Sequence, residues 1–127
     1  RNNSWNNNWN ERFENVLGVK MTKSELKIKA YQQGSVPSEM PKSFITIWND
    51  GSIDNLNSDN KTNLVEYQFT VIYYTKDWKN VYSKFESIVD LLKSKNYIAS
   101  GMGFDIDSGV DEYMARCIEV RKLERRN

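Results

Sequence analysis

Apolar positions along this chain follow two periods. From Asp77 to Asn96, "DWKNVYSKFESIVDLLKSKN" sets Trp78, Val81, Tyr82, Phe85, Ile88, Val89 and Leu92 at steps of three, one, three, three, one and three, the repeat of a helix with one apolar face. This predicts the main amphipathic helix over 77–95, with Asp77 as N-cap, Lys93 and Lys95 at the negative end of its dipole, and Asn96 as a left-handed exit. A second helical repeat opens the chain. In "RNNSWNNNWNERFENVLG", Trp5, Trp9, Phe13, Val16 and Leu17 line one stripe and the asparagines take the wet side. The expected helix spans 4–17, between a possible cap at Ser4 and a stop at Gly18. Each asparagine costs roughly 0.5 kcal/mol against alanine in a helix, so that stripe needs a surface to dock on.

Elsewhere the period is two. "LVEYQFTVIYYT" (64–75) puts Tyr67, Phe69, Val71 and Tyr73 on one side and Glu66, Gln68 and Thr70 on the other, a long strand with one buried face. "SFITIW" (43–48) is a second strand, after the proline-marked "GSVPSEMP", and "ELKIKAY" is a weaker third. The link "NDGSIDNLNSDNKTN" (49–63) is too polar to pack and is expected to be a flexible hairpin loop between antiparallel strands. Past the main helix, "YIASGMGFDI" and "EYMARCIEVRKL" flank the short polar "DSGVD", the pattern of another hairpin. The element order α-β-β-β-α-β-β implies an α+β fold. An antiparallel-rich sheet of about four to five strands would carry two helices packed on one face.

At 127 residues, 39% hydrophobic and 28% charged, the chain has the size and composition of a single globular domain over 1–127. It has no run long enough to span a membrane and no signal-peptide pattern at its start. The single Cys117 cannot form an internal disulfide and reads as a buried thiol in a strand, so the expectation is an intracellular protein. The chain begins with Arg1 rather than methionine, which leaves room for an upstream segment. A net charge of +1 lacks the basic excess of a dedicated nucleic-acid binder. The local exception is a basic C-terminal tail over 121–127, "RKLERRN", where Arg121, Lys122, Arg125 and Arg126 concentrate although Glu119 and Glu124 interrupt them. It reads either as a solvated strand end or as a contact surface for a polyanion or an acidic partner.

Candidate chemistry is sparse. The absence of histidine removes the commonest general base, the usual nucleophilic triads and most zinc sites. Asp105, Asp107, Asp111 and Glu112 crowd together, but counted from Asp105 the sixth position is Val110 and the twelfth Arg116, where a calcium loop needs glycine and glutamate. They read as turn residues. "GMGF" lacks the third glycine and the helix of a dinucleotide fingerprint; its glycines suit a bulge or a close approach. Thus no cofactor, metal or catalytic residue is expected. Aromatic residues make up 13% of the chain and core periodicity accounts for most of them. Tyr73 and Tyr74, being adjacent, must point to opposite sheet faces, and the outward one is a candidate interface residue.

Taken in order, an initial helix, the strand approach "PSEMPKSFITIW", a polar loop, "VEYQFTVIYYT", a helix ending "LLKSKNY" and a final hairpin through "FDIDSGVDEYMARCIEV" resemble the tail terminator (tail-completion or head-tail joining) proteins of long-tailed phages. Small prophage neck and minor capsid proteins are related to these. The likeness covers nearly the whole chain, rests on element pattern rather than a diagnostic motif, and leaves out the asparagine-rich start. It implies a non-enzymatic virion structural protein whose subunits form a hexameric ring, cap the tail-tube protein and meet the head connector. The protein would then sit in the virion, or in the cytoplasm of the bacterial host during assembly, without a membrane or specific nucleic-acid partner. Tyr73, Tyr74, Arg121, Arg125 and Arg126 would lie at partner contacts. The alternative is a small nucleic-acid-binding or regulatory protein acting through the basic C-terminal tail.

Overall fold

The computed structural model describes residues 28–32, 36, 38–56 and 63–126. Within them, β1 (Lys29–Gln32), β2 (Ser43–Leu56), β3 (Asn63–Thr75), β4 (Ile98–Ala99), β5 (Phe104–Ile106) and β6 (Met114–Arg126) build one sheet. A single α-helix, α1 (Val81–Ser94), packs on it behind a short 3-10 turn at Trp78–Asn80. The sheet runs β1-β2-β3-β6-β4, with β5 beside β4 on the same outer edge of β6. All pairs are antiparallel except β1 with β2.

This corrects the expected α+β arrangement of two helices on a sheet of four to five strands. The described residues form a six-stranded mixed sheet with one helix, and sheet dominates because polar stretches join the ladder. Residues 49–56, assigned from sequence to a flexible loop, extend β2 and pair with β3 down to Leu56 opposite Asn63. A bulge between Asn49 and Gly51 makes the extension possible: Gly51 adopts φ +108°, and its N–H donates to the Asn49 Oδ1 at 2.9 Å. Likewise residues 121–126 are not a free tail; they continue β6 and pair with β3 to its first residue. Backbone pairing needs no apolar side chains, which is why hydropathy ended both strands early. The expected helix over 4–17 lies outside the described residues.

Hydrophobic alternation does place the core. Ile45 and Ile47 of β2, Val65, Tyr67, Phe69, Val71 and Tyr73 of β3, and Ile118 and Val120 of β6 share one sheet face. Onto them α1 lowers Val81, Phe85, Ile88, Val89 and Leu92, a stripe at i, i+4, i+7, i+8 and i+11. The helix leaves through Asn96 at φ +69°, with the Tyr97 N–H bonded to the Leu92 carbonyl at 3.0 Å and that of Asn96 to Lys93. This is a Schellman exit on the expected residue.

Trp78 and Tyr82, expected on the apolar stripe, are exposed. The tighter 3-10 turn carries Trp78 off the face, where its indole N–H donates to the Glu112 carbonyl. Tyr82 sits one step past Val81 and donates its hydroxyl to Asp105 at 2.8 Å. Asp77 does not cap α1, which starts at Val81; its carboxylate accepts the Asn80 side-chain amide, and that bond holds its pKa below the usual range.

Candidate functional site

The second face of the sheet carries several of the exposed apolar side chains among the described residues. Cross-strand register puts Trp48, Thr70 and Glu119 in one row, Gln68, Arg121 and Ile98 in the next, and Ile53, Glu66 and Leu123 beyond it. In the other direction come Thr46, Ile72, Cys117 and Phe104. Trp48 is 45% exposed and Phe104 52%, and Ile53, Ile98 and Leu123 are also open. Alternation dictates this for Trp48 and Ile98, which follow Ile47 and Tyr97 of the buried core.

Inside that apolar rim the strands carry polar side chains that bond to one another. Glu66, only 9% exposed, accepts the Gln68 amide at 2.8 Å and pairs with Arg121 at 3.2 Å. Thr70 donates its hydroxyl to Asp50. Two carboxylates, Asp50 and Glu119, are both close enough to raise the pKa of the Cys117 thiol, although burial contributes most to that shift. Neither makes an ion pair among the described residues.

Beside them the edge strand is interrupted. Between β4 and β5, Gly101 and Gly103 take φ +74° and +81°, opening a groove of about 560 Å³ lined by Asp50, Gln68, Met102, Phe104, Glu119 and Arg121. Of the bulge or close approach expected of "GMGF", the close approach is present, at Gly103. A Cβ on Gly103 would stand 2.7 Å from the Phe85 ring and strike the Cys117 carbonyl oxygen. Arg116 locks this corner from the core side. It is paired to Asp105 at 2.7 Å, donates to the carbonyls of Met102 and Gly103, and lies over the Tyr82 and Phe85 rings.

The sequence-predicted contact residues are dispersed. Tyr73 is 1% exposed in the core, whereas Tyr74 faces the other side, half-buried and stacked on Phe44 at 4.8 Å. Arg121 lies at the groove, six residues along the ladder from the row of Tyr74, or about 20 Å at 3.4 Å per residue. Arg125 and Arg126 stand at the far end of β6, opposite Leu64 and Asn63. Trp48, Ile53 and Phe104 were missed; the signal for them is the polar alternation of Glu66, Gln68 and Thr70, which marks the face they share. Asp107 accepts the Gly109 N–H at 2.9 Å in the β5–β6 turn. No group of three or more acidic, cysteine or histidine side chains converges on a metal position among the described residues. No helix there is long and apolar enough to cross a membrane.

No protein-family model matches the chain, and no curated protein matches it either.

Proposed function

We propose that this protein is a non-enzymatic assembly subunit that works by binding other protein chains through the second face of its sheet. The setting that fits is the one implied by the resemblance: a ring that closes a phage tail tube and joins it to the head, formed in the bacterial cytoplasm and carried in the virion. The observation that supports this reading is the rim of Trp48, Ile53, Ile98, Phe104 and Leu123 around a bonded polar centre. Exposed aromatic side chains such as Trp48 and Phe104, with an arginine among them, are the residue types enriched where proteins bind one another. Arg121, held by Glu66, positions that surface, and Tyr74 extends it toward the opposite end of the sheet. The test is electron microscopy of the protein mixed with tail tubes from the phage or prophage that encodes it. A ring at tube ends is the expected result; tight, salt-dependent binding to free DNA with bare tube ends would overturn it.

A further inference from the structure

Between Ala99 and Phe104 the edge of the sheet takes a detour. Ala99 pairs with Val120 and Phe104 with Cys117, so four residues, 100–103, cross a stretch where β6 advances by only two, Ile118 and Glu119. The surplus bows away from the ladder, and the left-handed backbones of Gly101 and Gly103 let it do so. Outside the ladder the bow needs another hold. One guanidinium supplies it. Arg116, opposite Tyr73 on the core face, donates through Nη2 to the Met102 and Gly103 carbonyls, both at 3.1 Å, and through Nη1 to Asp105 Oδ1 at 2.7 Å. Asp105 accepts the Tyr82 hydroxyl of α1 on its other oxygen, and the guanidinium lies over the Tyr82 and Phe85 rings. The side chains that the bow sets in place belong to the opposite side of the sheet: Met102 and Phe104 line the groove and are exposed.

We infer that Arg116 is a positioning residue for the docking face: from the core side of the sheet it fixes the bow, and with it the places where Met102 and Phe104 meet a partner chain. Anchors held in place before contact bind better, because ordering them on binding costs affinity. Lysine cannot take over this role. Its single ammonium lacks the planar fork that reaches a carboxylate and two carbonyls together. Gly101 and Met102 are exposed, so carbonyls released from the clamp can turn to water and the fold is expected to survive. The inference rests on the assembly reading above and adds the residue that shapes its surface.

Arg116→Lys and Arg116→Met test it, each alone and combined with Phe104→Ala, by nuclear magnetic resonance and by sedimentation. In the wild type the Gly103 α-protons should show Overhauser contacts with the Phe85 ring, which a Cβ on Gly103 would meet at 2.7 Å. Both variants should lose those contacts while the edge-to-face contact of Phe69 with Tyr97 persists, which shows that the core is intact. Self-association should weaken on the order of tenfold in either variant. Added to Phe104→Ala, the same changes should weaken it little further, because both remove one contact. Gly103 contacts that persist in both variants overturn the clamp. Unchanged association, or losses that add in the double variants, overturn the docking role and leave the assembly reading standing. A wild type that stays monomeric at every concentration overturns the assembly reading and the docking role with it, and the Gly103 contacts then judge the clamp separately.

Discussion

Among the described glycines with positive φ, Gly103 is the one whose replacement the fold tolerates least. Its left-handed backbone already disfavours a side chain, and a Cβ there meets the Phe85 ring and a strand carbonyl. Gly103→Ala is therefore expected to cost about 2–3 kcal/mol in urea denaturation. Gly51→Ala, with φ +108° but open space around it, should cost about 1 kcal/mol. Thr46 offers the opposite case: its hydroxyl is buried on the second face without a hydrogen-bond partner among the described residues. Thr46→Val is expected to be neutral or to stabilise by up to about 1 kcal/mol, and a clear loss would show that the hydroxyl is bonded. Asp105 links stability to pH. Bonds from Arg116 and then Tyr82 hold its pKa below the ordinary value near 3.9. Its folded pKa is the depressed one, so its contribution is present above the unfolded value and disappears as pH falls through the folded one. The wild-type Tm should drop in that acid window, and Asp105→Asn should flatten the drop.

At the scale of elements, the contact between α1 and the sheet holds the core. Phe85→Ala is expected to cost about 3–5 kcal/mol, because the ring is buried and also supports Gly103 and Arg116. What could be read from sequence follows from the same physics. Apolar periodicity located α1 and the inward row of β3, because burial selects apolar side chains at fixed intervals, and residue type located the exit at Asn96, while the break of "YIASGMGFDI" into β4 and β5 was not read. Periodicity shortened β2 at Trp48 and left the end of β6 as a tail, since those segments are held by ladder hydrogen bonds and by a bulge at Gly51. Neither leaves a hydrophobic trace. The parallel pairing of β1 with β2 is equally silent, as side-chain pattern does not encode strand direction. The groove arises from β4, β5 and β6 together with Asp50 on β2, positions brought side by side only by register.

For the whole molecule, the sheet divides the labour: one face is sealed by α1, the other presents aromatic and aliphatic side chains around Glu66, Gln68 and Thr70. If that second face is what the protein works with, removing its apolar anchor should abolish assembly without loosening the fold. Two exposed tryptophans make the comparison internal to the chain, Trp48 on the docking face and Trp78 beside the start of α1. The decisive measurement is sedimentation velocity of the wild type, Trp48→Glu and Trp78→Glu, with thermal melts confirming that all three are folded. The expected result is a closed oligomer for the wild type and Trp78→Glu, and a folded monomer for Trp48→Glu. An oligomer that survives Trp48→Glu but is lost in Trp78→Glu would contradict the account.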